Sequence, residues 1–249
     1  MRKLVLFVVL IIALSFASSY AGNMEDADAA YAKGDYQTAF KLTAIEADKG
    51  NAIAQFNLGL LYENGQGVQY DSKEAAKYFK LSADKGYPQA SFKLAFMYEK
   101  GLGVRQNFKE AVKYYRLAAE KGMVRAQFNL GLIYDNGVEM PQDYKEAAKW
   151  YQAAAKQGDT DAQHNLGYLY LNGKGVRQDY KEAFKWYKSA SDNGDVGAKC
   201  TLAEMFALGS GVKKDIKRAK QIAKEGYEAG GTGSEYCKEV LEKYNLARY

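Results

Sequence analysis

The sequence predicts an all-α fold, a solenoid of stacked helical hairpins, from three observations. Glycine recurs at Gly50, Gly86, Gly122, Gly158, Gly194 and Gly230, a constant step of 36 residues. Other columns keep the same step: Ala54, Ala90, Ala126, Ala162 and Ala198; Leu58, Leu94, Leu130, Leu166 and Leu202; and the aromatic series Tyr62, Tyr98, Tyr134, Tyr170 and Phe206. Within each period the apolar residues follow helical spacing, as at Ala54, Leu58, Leu61 and Tyr62. A fixed period of this size marks repeat architectures, in which one unit cannot bury its own apolar face and stacking supplies the core.

The elements follow in chain order. Residues 1–21 read as a signal peptide: Arg2 and Lys3, an apolar run from Leu4 to Leu14, then Ser19-Tyr20-Ala21 as a small-x-small cleavage site. An uncleaved anchor is the other reading, but the run is short for the ~20 residues a bilayer requires. The mature chain is therefore expected outside the cytoplasm, periplasmic or secreted, with no stable membrane insertion. Residues 22–50 read as a shorter helix pair that caps the stack, carrying Gly34-Asp35-Tyr36 and Ala39-Phe40. Residues 51–230 hold five repeats of 36 residues, and residues 231–249 a terminal capping helix with Tyr236, Val240, Leu241 and Tyr244 on one side.

Each repeat reads as two helices. Helix A of the first runs from about Asn51 to Asn64, and Gly65 supplies the left-handed residue that ends it. Asp71 caps helix B, with Glu74 three residues on as a capping box. The box recurs at Asn107/Glu110, Asp143/Glu146 and Asp179/Glu182, whereas Asp215 is followed by Arg218. The aromatic pair of helix B is Tyr78-Phe79, Tyr114-Tyr115, Trp150-Tyr151 and Trp186-Tyr187, and decays to Ile222-Ala223 in the fifth repeat.

Composition excludes several chemistries. One His rules out a multi-His metal centre, and two Cys rule out a cysteine-dense mini-fold. The net charge of +5 includes Arg2 and Lys3. That balance does not propose nucleic acid as a partner. There is no P-loop, and the Gly65-x-Gly67 turns follow helices rather than strands, so they are not dinucleotide fingerprints. No cofactor, metal or catalytic residue is expected.

The run Ala54-Gln55-x-x-Leu58-Gly59-x-x-Tyr62-x-x-Gly65-x-Gly67-Val68-x-x-Asp71-x-x-x-Ala75 resembles the Sel1-like repeat, a relative of the tetratricopeptide repeat. The resemblance covers about residues 51–230, and Ala32-x-Gly34-Asp35-Tyr36-x-x-Ala39 looks closer to the tetratricopeptide form. It implies a right-handed α-α superhelical solenoid that binds another protein or a peptide, often as an exported bacterial protein. Some cysteine-rich relatives are described as penicillin-binding or weakly β-lactam-hydrolysing. They carry a Cys pair inside each repeat, which this chain does not.

By analogy with the tetratricopeptide register, helix A lines the concave wall. Its inward columns place Phe56, Phe92, Phe128 and His164 in one row and Leu60, Phe96, Leu132 and Tyr168 in a second. Asn57, Lys93, Asn129 and Asn165 run beside them. One reading is a groove with aromatic anchors and amides for a peptide backbone. The other is that Phe56, Phe92 and Phe128 only pack between neighbouring A helices. Cys200 and Cys237 fall one position out of register on helix A of the fifth repeat and on the terminal helix. A bridge fits an exported chain; two buried thiols are the alternative. For a serine enzyme, Ser82-Ala83-Asp84-Lys85 and Ser191-Asp192-Asn193 match S-x-x-K and S-D-N. Ser191 shares the column of Ala83 three repeats on. That separation, on the order of 30 Å from interaxial distances of 8–10 Å, is far beyond hydrogen-bond reach.

Overall fold

A computed structural model describes residues 22–137 and 140–246; the export signal expected over residues 1–21 lies outside them. Among the described residues all regular structure is helical. The fold is the all-α solenoid class that the periodicity predicts. The described residues divide into two compact units, one up to residue 121 and the other from residue 122.

In the first unit, residues 22–32 are helical and form α1. It is followed by α2 (Tyr36–Asp48), α3 (Ala52–Asn64), α4 (Ser72–Asp84), α5 (Pro88–Lys100) and α6 (Phe108–Glu120). From α2 onward each helix packs against the next. The second unit holds α7 (Val124–Asn136), α8 (Tyr144–Ala155), α9 (Thr160–Asn172), α10 (Tyr180–Asp192), α11 (Val196–Leu208), α12 (Ile216–Ala229) and α13 (Ser234–Lys243). Here α13 packs on both α11 and α12. The cores are built from the periodic columns, with Ala54, Leu58, Ala90, Leu94, Ala126, Leu130, Ala162 and Leu166 all buried.

Every helix A ends on a glycine in the left-handed conformation: Gly65, Gly101, Gly137, Gly173 and Gly209. The start of helix B departs from the capping box. Asp71, Asn107, Asp143 and Asp179 accept from the backbone N–H groups two and three residues on, as a cap should. The glutamates do not reach back. The cap's own N–H is already bonded to the carbonyl of the aromatic nine residues earlier: Asp71 to Tyr62, Asn107 to Tyr98, Asp143 to Tyr134, Asp179 to Tyr170 and Asp215 to Phe206. With that donor satisfied, Glu74, Glu110, Glu146 and Glu182 pair forward with Lys77, Lys113, Lys149 and Lys185. The same clasp explains why Arg218 can replace the glutamate in the fifth repeat without loss of the turn.

Inside the hairpin, the helix-B ring sits where helix A has no side chain. A Cβ at Gly59 would lie 2.6 Å from the Phe79 ring, one at Gly131 2.4 Å from Tyr151, and one at Gly167 3.1 Å from Tyr187. All three rings are buried. A buried amide column adds a second contact. Gln157 donates from Nε2 to both Gly122 O at 3.2 Å and Gln127 Oε1 at 2.8 Å. Asn193 donates to Gln163 Oε1 at 3.0 Å. In the first repeat the matching residue is Lys85, which reaches the Gly50 carbonyl and leaves the buried Gln55 Oε1 without a donor.

The fifth repeat lacks the helix-B ring and is held by other means. Cys200 and Cys237 form a disulfide with their Cα atoms 4.7 Å apart. A closed loop of this length contributes roughly 3–4 kcal/mol in the chain-entropy picture. Gly226 makes room for it, since a Cβ there would sit 2.3 Å from Cys237 Sγ. Arg218 stacks over Phe206 at 4.8 Å, and Phe206 meets Phe184 edge to face.

Two substitutions test this packing in urea denaturation of the full chain. Gly131→Ala gains about 1 kcal/mol of helix propensity but forces the Tyr151 ring out of its seat at a cost of roughly 1–3 kcal/mol. The net effect is destabilising, and larger than for Gly167→Ala, where the gap is wider. Lys85→Gln reproduces the double donor of Gln157, satisfies Gln55, and raises stability by about 1 kcal/mol.

Candidate functional site

The helix-A columns are described unit by unit. In the first unit the Phe56 ring lies against Phe79 at 5.6 Å and Tyr87 at 5.2 Å, and Phe92 against Tyr115 at 5.6 Å. Both are half-buried. Their inner edges therefore belong to the hairpin core, and only one edge faces out. Phe96 is different: it is 38% exposed, with Lys100 Nζ 5.8 Å from its ring centroid. Lys93 is paired with Glu63 at 2.7 Å, so it is not a free cation. Asn57 and Leu60 line a cavity of about 270 Å³ together with Tyr31, Leu61 and Asn64. Tyr31 bonds across its rim to Gln66.

In the second unit Phe128 packs on Tyr151 at 6.0 Å and His164 stands edge-on to Tyr187 at 5.4 Å. Asn129 and Leu132 are half-buried beside them. The Tyr151 hydroxyl bonds Asp135 at 3.0 Å and interacts with Asn165. Burial first, then the Asp135 charge, push this phenol well above its ordinary range. Tyr168 is 40% exposed, and Lys174 both bonds its hydroxyl and lies over its ring.

Phe128, His164 and Asn165 line a groove of about 830 Å³ with residues that the sequence reading left out. These are Thr160, Asp161, Asn193, Asp195 and the loop Gly230-Gly231-Thr232-Gly233. His164 Nδ1 is 2.8 Å from Asp195 Oδ2. Asp195 also caps α11, its Oδ1 accepting from the Ala198 N–H at 2.8 Å. Burial raises the Asp195 pKa, but the bonds from His164 and Ala198 outweigh it and hold the carboxyl below its usual range. An ionised carboxylate only accepts, so the imidazole Nδ1 carries the proton. A signal for this pair exists in the repeat arithmetic. Phe56 meets Tyr87 and His164 meets Asp195, in both cases the cap of the next helix A, 31 positions on.

Glu204, in the column of Leu60 and Tyr168, is a hub. Its carboxylate accepts from Tyr236 at 2.5 Å, Tyr244 at 2.6 Å and Lys243 at 2.8 Å, tying α13 to α11. Ser82, the S-x-x-K serine, is fully buried and donates to the Ala52 carbonyl at 2.6 Å. A hydroxyl so placed is a helix-packing contact and has no access to a substrate. Among the described residues no group of three or more His, Cys, Asp or Glu is arranged to hold a metal ion, and no helix is long and apolar enough to cross a membrane.

The model of the Sel1 repeat family matches residues 52–87, 88–123, 124–159, 160–195 and 198–231. The chain belongs to the Sel1 repeat family. Among solved structures it is similar to a protective antigen of uropathogenic Escherichia coli strains displaying an SLR fold, at 32% identity and a TM-score of 0.78 over 92% of this chain. This chain spans only 50% of that antigen. It is also similar to a Sel1 repeat protein from Oxalobacter formigenes, at 33% identity and a TM-score of 0.75, over 84% of this chain and 86% of that one. No match was found among curated proteins.

Burial raises the Glu204 pKa, but the bonds from Lys243, Tyr236 and Tyr244 outweigh it and hold the carboxyl below its ordinary value. A carboxyl depressed in the folded state contributes stability above its unfolded pKa and loses it as pH falls through the folded value. Glu204→Gln should cost about 1.5–3 kcal/mol at neutral pH, the range for hydrogen bonds to a charged acceptor. Denaturation curves at several pH values should show the gap to wild type closing as acid protonates the carboxyl.

Proposed function

We propose that this chain is an exported interaction scaffold that binds a protein or an extended peptide along the helix-A face of its repeats. The observation that carries the reading is an open aromatic ring on helix A in each unit, Phe96 in the first and Tyr168 in the second. Phe96 lies one helical turn from the half-buried Phe92, and Tyr168 one turn from His164 and Asn165, which line the groove of the second unit. Large rings held by packed neighbours supply most of the energy at protein interfaces. Sel1 repeats generally bind other proteins, which favours the same reading. Export, to the periplasm or beyond the cell, is supported by the Cys200–Cys237 bridge, since oxidising compartments sustain such bonds. The uropathogenic strains' protein is described as a protective antigen, which agrees with an exported location.

In-cell crosslinking followed by mass spectrometry identifies the bound protein, and quantitative pull-down then tests the face. Replacing Phe96 and Tyr168 by alanine should weaken recovery at least about thirtyfold, the equivalent of roughly 2 kcal/mol. Both rings are exposed, so circular dichroism and the unfolding midpoint should stay near wild type. Recovery unchanged in the double variant would remove the helix-A face from consideration.

A further inference from the structure

We infer that the groove of the second unit takes a peptide segment bearing a basic side chain, arginine or lysine, next to an apolar one. The inference rests on the binding role proposed above and narrows it to one class of occupant. The groove is bounded by Phe128 of α7, the first turns of α9 and α11, and the loop at residues 230–233. Its lining carries the carboxyl groups of Asp161 and Asp195 beside the imidazole of His164, and no lysine or arginine. This contrasts with a chain whose net charge is +5. Complementary potential across an interface selects partners and penalises like charge. An acidic peptide or a nucleic acid would meet two carboxylates here with no lining cation to offset them.

The two carboxylates are suited to different parts of the task. Asp161 is exposed and makes no ion pair among the described residues. It is free to close on an incoming ammonium or guanidinium. Asp195 is only 17% exposed and is oriented by its bonds to Ala198 and His164. With the Gly197 backbone as a third donor, about one of its roughly four lone-pair directions remains for a ligand. A planar guanidinium can meet a carboxylate through two parallel bonds. Phe128 offers an apolar edge for the neighbouring side chain. Gly230, Gly231 and Gly233 in the lining loop have positive φ and carry no side chains, so an extended backbone can lie close.

The test selects binders from a random dodecapeptide library on the immobilised full chain. Enriched peptides are then measured by fluorescence anisotropy against wild type, Asp161→Asn and the Phe96/Tyr168 alanine variant. The expected result is a shared Arg or Lys beside a Leu, Met or Phe. Affinity should fall at least about tenfold in Asp161→Asn, near 1.4 kcal/mol, and decline with added salt. Hydrogen exchange should slow at residues 160–165 and 193–197. Peptides that lose affinity in the Phe96/Tyr168 variant, yet lack a basic residue or ignore Asp161→Asn, would overturn the charge selectivity and leave the helix-A face standing. Peptides indifferent to all three substitutions, or no enrichment at all, would overturn the groove itself and this inference with it.

Discussion

Each helical hairpin is closed by one backbone bond, from the N–H of the helix-B cap to the carbonyl of the helix-A aromatic nine residues before it. The bond occurs in all five repeats. It fixes where helix B begins relative to the last turn of helix A, and so sets the angle at which the two helices meet. Only then does the helix-B ring find the glycine opposite it in the first, third and fourth repeats. The cap side chain, the left-handed glycine and the ring seat all presuppose that clasp. The forward Glu–Lys pairs follow from it too, and being exposed they contribute little to stability.

The fifth repeat keeps the clasp but lacks the supports that accompany it elsewhere. Its ring is gone, its capping glutamate is gone, and its helix-B stripe is reduced to Ala219 and Ala223 among larger partly buried neighbours. The missing apolar burial is offset by two links to the terminal helix, the disulfide and the Glu204 hub, and by the Arg218 stack on Phe206 between α12 and α11. A repeat stack is cohesive only between neighbours. An end repeat has a neighbour on one side only, and covalent and ionic links there replace the contacts that an interior repeat makes twice.

The same geometry allots roles along helix A. Side chains one step around from the core columns are shared between hairpin and surface, so Phe56, Phe92 and Phe128 keep an edge in the core. The second column, one turn further, is free to vary, and it does so from Leu60 through Phe96 and Tyr168 to Glu204. Variation in that column, on a backbone that does not vary, is how a repeat protein acquires a specific surface. In the second unit the replacement of Phe by His164 turns an apolar edge into a polar one, with Asp195 as its partner.

Much of the fold was legible in the sequence because its columns report backbone requirements. A left-handed residue must end helix A, and glycine stands there five times. A ring must meet a gap, and glycine recurs at Gly59, Gly131 and Gly167. The capping box was read from the same columns and was only half realised. The acceptor that displaces the glutamate is a backbone carbonyl, which every residue has and no sequence pattern displays. The cysteine spacing allowed a bridge and also two free thiols. The packing of α13 against both α11 and α12, with room left at Gly226, decided between them. The His164–Asp195 pair and the groove around it were also decided by tertiary structure. Periodicity ranks positions by face, but a site joins the end of one repeat to the start of the next. Which cap meets which ring depends on how the helices stack.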